Sequence, residues 1–122
     1  MAKKTILIID DEADFIDVVK VRLEALGYKV IGAYNGEEGV DVARKERPDL
    51  IFLDLVMPKS NGFTALSKLR LDPHTALTPV IILSAKSESE FMLDAEKLGA
   101  VDYVIKPATL KAMVDMINKH IK

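Results

Sequence analysis

The sequence contains no cysteine. That removes disulfides and thiolate metal sites and fits a reducing compartment. It carries no excess of charge of either sign: 17 Lys and Arg stand against 19 Asp and Glu, a net charge of −2. With a pI near 5.7, there is no overall basic signature of nucleic-acid binding. No apolar stretch approaches the roughly 20 residues of a membrane span. Met1-Ala2-Lys3-Lys4 leads into a short strand-like run, not into a signal-peptide core. Internal repeats, low-complexity tracts and Pro/Gly/Ser-rich linkers are missing too. A cytoplasmic location without membrane insertion is the default expectation.

What is present suits one globular domain spanning residues 1–122. Apolar residues make up 49% of the 122 and charged residues 30%, mixed in sign. A chain of this size buries roughly two-thirds of its unfolded surface, enough for a core without staples. Three apolar runs end abruptly in polar residues. Ile6-Leu7-Ile8-Ile9 meets Asp10-Asp11, Leu50-Ile51-Phe52-Leu53 meets Asp54, and Val80-Ile81-Ile82-Leu83 meets Ser84. A fourth, Tyr103-Val104-Ile105, meets Lys106-Pro107. Runs this apolar read as strands buried on both faces.

Between them lie helical patterns. Phe15, Val18, Val19, Leu23 and Leu26 predict a helix from about Asp14 to Leu26, ended by a left-handed Gly27. Tyr28 to Ala33 reads as a short strand. Asn35 caps a second helix, with Glu38 completing a capping box, and the helix stops before Pro48. Pro58 to Gly62 is a loop by its turn residues. Further helices are expected over about 63–71, stopped by Asp72-Pro73, over about 88–98, ended by Gly99, and from near Thr109. The last has Leu110, Met113, Met116, Ile117 and Ile121 as its inner face. This is an α/β pattern, (βα)5, with a five-stranded parallel sheet covered by helices on both faces. In such a sheet, ligands bind beyond the carboxyl ends of the strands.

Converging carboxylates at Asp10, Asp11 and Asp54 need compensation, since one pair about 4 Å apart costs about 4 kcal/mol at an effective dielectric near 20. Hard oxygen ligands suit Mg2+, with Mn2+ as the alternative ion. No His or Cys lies in these segments, which disfavours zinc and copper. His74 and His120 read as solvated residues. A lysine and a hydroxyl beside a metal–carboxylate site match the needs of a phosphoryl group. A carboxylate can then be the nucleophile. Each feature also has a plainer reading. Asp10-Asp11-Glu12 could be acids favoured at a helix start, Ser84 could bond backbone, Lys106 could be a surface charge and Tyr103 half-buried packing. Asp54 is harder to explain so, because a lone acid in an apolar run is expensive to bury without a partner.

Together these residues resemble the receiver domain of two-component response regulators, including the single-domain chemotaxis type. The anchors are Ile8-Ile9-Asp10-Asp11-Glu12, the segment from Pro48 to Pro58 around Asp54, Asn61-Gly62, Ser84-Ala85, Gly99-Ala100 and Lys106-Pro107. Intervals of 43, 30 and 22 residues separate Asp11, Asp54, Ser84 and Lys106. The resemblance implies a flavodoxin-like strand order of 2-1-3-4-5, with Asp54 as phosphoacceptor. It implies a Mg2+ site of Asp10 (through water), Asp11, Asp54 and the Val56 carbonyl. Ser84, Ala85 and Lys106 would bind the phosphoryl group, Lys106–Pro107 would be cis, and Ser84 and Tyr103 would form a switch. The implied function is a phosphorylation-activated switch and not an enzyme, although it takes part in its own Mg-dependent phosphoryl transfer.

The implied donor is the phosphohistidine of a sensor histidine kinase or histidine phosphotransfer protein. A downstream effector protein would read the face made by the last two helices and the last strand. No output domain follows the last helix, so protein–protein contact is the expected output. A phosphorelay intermediate, or a receiver cut from a longer regulator or hybrid kinase, would look the same. The chain departs from the family pattern at Ser60-Asn61-Gly62 and at Ala108. Val56 and Lys86, two residues beyond Asp54 and Ser84, fall where the family controls attacking water. An apolar Val56 orients no water, so slow self-dephosphorylation is expected. Three other classes fit less well. An aspartyl-phosphate phosphatase of the haloacid dehalogenase type would need an acid where Val56 stands. A flavin-binding flavodoxin would need a phosphate loop where Asp10-Asp11-Glu12-Ala13 stands. A binding module with a relict site would have no reason to keep all five site residues.

Overall fold

A computed structural model describes residues 3–57, 60–85 and 89–121. Five strands form one parallel sheet: β1 (Thr5–Ile9), β2 (Lys29–Ala33), β3 (Leu50–Asp54), β4 (Val80–Ala85) and β5 (Asp102–Lys106). Their order across the sheet is β2-β1-β3-β4-β5. The helices are α1 (Ala13–Ala25), α2 (Gly36–Glu46), α3 (Gly62–Leu71), α4 (Ser89–Lys97) and α5 (Leu110–His120). The flavodoxin-like (βα)5 fold expected from the sequence is the fold observed.

The register explains the unbroken apolar runs. Ile8 of β1 lies beside Phe52 of β3, and Phe52 beside Ile81 of β4. Alternate side chains of each strand enter opposite layers. Leu7, Ile9, Ile51, Leu53, Val80 and Ile82 pack with Val40 and Ala43 of α2, Leu66 and Leu69 of α3 and Ala95 of α4. Ile6, Ile8, Leu50, Phe52, Ile81 and Leu83 pack with Ile16, Val19 and Leu23 of α1 and Met113 and Ile117 of α5. With both faces covered, neither parity can be polar.

The caps agree with the sequence. Asn35 accepts a hydrogen bond from the Glu38 amide at 2.8 Å, and Thr109 accepts one from the Ala112 amide at 3.1 Å. Gly27 and Gly99, at φ 99° and 106°, end α1 and α4 in the same way. The amides of Tyr28 and Ala100 reach back to the carbonyls of Leu23 and Ala95, as the left-handed helix stop requires.

Three expectations need correction. The buried face of α1 is Ile16, Val19 and Leu23, whereas Val18 and Leu26 are more than half exposed. Val18 points away from the sheet because it lies two residues, about 200° around the helix, from Ile16. Within the Pro58–Gly62 segment expected as a loop, Ser60–Asn61 pairs antiparallel with Val56–Met57 just before it, and Asn61 caps α3 through the Phe63 amide at 2.9 Å. Pro58, Lys59 and Lys86 lie outside the described residues. Finally, His120 is not a solvated side chain. Its Nε2 stands 2.9 Å from Asp102 Oδ2, which Lys119 Nζ also approaches at 2.9 Å. His74 is half exposed and pairs with Asp72.

Candidate phosphoryl and metal site

β1 has β2 on one side and β3 on the other, so the chain reverses its winding direction there. This is the topological switch point at which open α/β sheets bind ligands. Asp10 and Asp11 follow the last residue of β1, and Asp54 is the last residue of β3. Carboxylate oxygens of all three lie within 4.8 Å of one another. Asp10 is fully buried and Asp54 is 5% exposed, while Asp11 is open to solvent.

Backbone donors hold one oxygen of each buried acid. The Glu12 amide donates to Asp10 Oδ1 at 2.9 Å, and the Val56 amide donates to Asp54 Oδ1 at 3.0 Å. Lys106 Nζ serves the other oxygens. It donates to Asp54 Oδ2 at 3.1 Å and to Glu12 Oε1 at 3.2 Å. It also stands 2.8 Å from Asp10 Oδ2. That last contact is close in charge but misaligned as a hydrogen bond, so Asp10 Oδ2 is a buried oxygen without a well-directed donor. The Phe15 ring lies 5.5 Å from Nζ, within cation–π range.

Gly62 lets α3 start directly beneath this site. A Cβ there would fall 2.5 Å from Leu55 Cα and 2.6 Å from the Asp54 carbonyl oxygen, contacts no side chain could sustain. The glycine therefore fixes how closely α3 can approach the end of β3.

The electrostatics show a site short of positive charge. Burial raises the Asp54 pKa to about 6; Lys106 opposes the shift and Asp10 adds to it. Burial also raises the Asp10 pKa, against the nearby Lys106 ammonium and the Glu12 amide. Burial works against the Lys106 ammonium, yet Asp10 and Asp54 override it and hold its pKa above the ordinary lysine value. One ammonium thus leaves two buried carboxylates under-compensated. A hard divalent cation would supply what is missing, with oxygen ligands of the type Mg2+ prefers. The donor set and the poorly satisfied Asp10 oxygen therefore fit such an ion.

Asp11, Glu12, Asp54, Val56, Met57, Ala85 and Lys106 line a single open cleft of about 380 Å³. Five of the sequence-predicted residues (Asp11, Asp54, Val56, Ala85 and Lys106) thus line one cleft, with Asp10 beneath. Ser84 is buried at the end of β4 and donates to the Ala85 carbonyl at 3.2 Å. Tyr103 is 47% exposed and lines a separate groove of about 460 Å³ with Met92 and Leu93 of α4, Asp102 and Lys119. The Lys106–Pro107 peptide is cis. Sequence reasoning did not give Glu12, Phe15 and Met57 places at the site. The first two looked like a helix-start acid and a core aromatic, and no pattern in the sequence marks Met57.

The model of the response regulator receiver domain family matches residues 6–118, and the chain belongs to that family. Protein PilH of Pseudomonas aeruginosa is 38% identical over 113 residues, covering 93% of each chain. The chemotaxis protein CheY4 of Vibrio cholerae superposes with a TM-score of 0.92 at 26% identity, covering 98% of this chain and 100% of that one. The receiver domain of the sensor histidine kinase PA1611 of Pseudomonas aeruginosa superposes at 0.87 with 25% identity and 98% coverage of both chains; that structure has a magnesium ion coordinated in its active-site cleft. The chain spans about half the length of other curated relatives it matches, from 44% to 50% of each. It is a receiver domain of two-component signalling, a class that acts as a switch and binds Mg2+ at an acidic pocket. Among the described residues no helix is long and apolar enough to cross a membrane.

Proposed function

We propose that Asp54 accepts a phosphoryl group from a phosphohistidine, with Mg2+ held by Asp10, Asp11, Asp54 and the Val56 carbonyl, and that residues 1–122 form one receiver domain. The observation that carries this is the setting of Asp54. Its carboxylate lies between the Val56 amide and Lys106 Nζ, beside Asp10 and Asp11, at the switch point of the sheet. In the transfer, an Asp54 oxygen bonds to phosphorus as the phosphorus–nitrogen bond breaks and its electron pair returns to the donor imidazole. Lys106 pairs with phosphoryl oxygens, and the Val56 amide keeps the carboxylate oriented. Bound Mg2+ supplies charge neutralisation where the phosphoryl oxygens sit. The magnesium in the related PA1611 receiver supports that assignment.

The readout joins the two sites. Ser84 turns its hydroxyl from the Ala85 carbonyl to the phosphoryl group, beside the Ala85 backbone. Tyr103, at present half exposed, moves into the space released behind Ser84. The groove between α4, β5 and α5 then changes shape, and an effector protein that binds this face distinguishes the two states. The donor is a sensor histidine kinase or phosphotransfer protein, and the domain is no enzyme toward other substrates. The setting is cytoplasmic, with neither membrane insertion nor direct nucleic-acid contact by this domain.

Incubation with acetyl phosphate and Mg2+ is expected to add one phosphoryl mass that hydroxylamine removes. The label is expected to vanish in Asp54→Asn and without Mg2+; a label surviving in Asp54→Asn would refute the assignment. Val56 lines the cleft with an apolar side chain, which orients no water. The aspartyl phosphate is therefore expected to outlast seconds in the absence of a phosphatase, and decay within seconds would contradict this.

A further inference from the structure

We infer that Glu12, paired with Lys106, sets which phosphodonors reach Asp54 by placing a negative charge at the mouth of the cleft. The inference rests on the reading of Asp54 as phosphoacceptor. Glu12 immediately precedes α1, and its side chain makes no capping bond to that helix. It turns instead to Lys106, 94 positions away in sequence, at 3.2 Å. Short Ser, Thr, Asp or Asn side chains at this position would bond the helix's free amides; the longer Glu12 side chain does not. Its carboxylate is committed to the site.

Three carboxylate oxygens crowd the Lys106 nitrogen at 2.8, 3.1 and 3.2 Å. An arriving phosphoryl group needs room at this ammonium, and the carboxylate that gives way most easily makes it. The side chains of Asp10 and Asp54 are 0% and 7% exposed, and that of Glu12 is 65% exposed. Freeing a buried carboxylate would leave it uncompensated, whereas water readily replaces the lysine at the exposed Glu12. Glu12 is therefore the partner that yields.

Its charge does not leave with it. Glu12 lines both the cleft over Asp54 and the adjoining groove formed with Phe15, Lys106, Pro107 and Ala108. A small dianion approaching through either opening meets this carboxylate. A phosphohistidine borne by a protein with a basic side chain beside it would pair with Glu12 instead. The arrangement discriminates against free acyl phosphates by charge.

Two donors separate this from a structural role: acetyl phosphate, a dianion at neutral pH, and phosphoramidate, a monoanion. In Glu12→Gln, labelling by acetyl phosphate is expected to accelerate about threefold to fivefold at low ionic strength, the range an exposed ion pair allows. Labelling by phosphoramidate is expected to change less than about twofold, and the difference between the donors to collapse near 1 M salt, where the screening length is about 3 Å. Asp14→Asn, an exposed acid in the first turn of α1, should leave both rates unchanged. Equal acceleration with both donors, or no change in either while the wild type is labelled, would overturn the inference. Failure of the wild type to be labelled by either donor would overturn the underlying reading of Asp54.

Discussion

Replacing Lys106 with methionine is expected to destabilise the metal-free protein by about 3 kcal/mol at pH 7, the low end of the range for breaking a buried pair. Lys106 is the cation that faces all three of Asp10, Glu12 and Asp54. Methionine keeps most of the stem's volume, so packing against Phe15 survives and the loss isolates the charge. Without the ammonium, Asp10 and Asp54 repel each other with only backbone amides to stabilise them. The deficit should shrink toward pH 5, as the buried carboxylates take up protons, and millimolar Mg2+ should restore part of it. Urea unfolding in EDTA at pH 5 and 7, with and without Mg2+, checks each element. A Lys106→Met variant as stable as wild type at pH 7 in EDTA would show that the three contacts contribute no net stabilisation. The same variant should label poorly with either donor even where Mg2+ has restored the fold.

The second large effect has the opposite sign. Asp54→Asn is expected to stabilise the metal-free protein at neutral pH by about 2 kcal/mol. The folded pKa of Asp54 is about 6, above its ordinary 3.8. A carboxyl raised on folding binds more protons in the folded state across that interval, so stability falls as pH rises from about 4 to 6 and stays low above it. The shift corresponds to about 3 kcal/mol at 1.36 kcal/mol per unit. Asparagine recovers less than this, because its amide nitrogen can face Lys106, where a carboxylate oxygen accepted. Stability measured in EDTA between pH 4 and 7 should decline in wild type and run flatter in Asp54→Asn. Parallel curves would show that Asp54 carries no penalty on folding. The phosphoacceptor would then be a residue kept against stability for its chemistry.

How far the sequence discloses this molecule differs from residue to residue. The sheet was legible because its strands are buried on both faces and end sharply, so Asp10, Asp54, Ser84 and Lys106 stood out as the first polar residues after apolar runs. The face of α1 was ambiguous for a physical reason. Five of the seven residues from Phe15 to Val21 are apolar, and more than one stripe then satisfies helical spacing. Ile16 and Val18 exchange roles without disturbing the pattern. Asp10 and Asp11 are identical in type and adjacent, so only the three-dimensional fold separates the buried oxygen from the exposed one. Glu12 and Phe15 lay beyond reach because their connection to Lys106 spans almost the whole chain. His120 was misread because its partner Asp102 lies on a different element, at the start of β5, outside the helix that carries the imidazole. Family resemblance implied the roles, and the fold shows which of these residues stand together.

The double-sided core has an implication for how such molecules diversify. Every polar group at the proposed centre sits at or just beyond the carboxyl end of a strand, and the sheet is sealed on both sides by its two apolar layers. Outward positions such as Val18 and Val21 on α1, Leu71 at the end of α3 and Leu77 beyond it are exposed. Substitutions there are expected to stay within about 0.5 kcal/mol of wild type. Recognition codes written on those outer surfaces can drift and be rewritten while the reacting centre is inherited intact. Many copies of one switch can then coexist in a cell, each insulated from the others by what it shows outside.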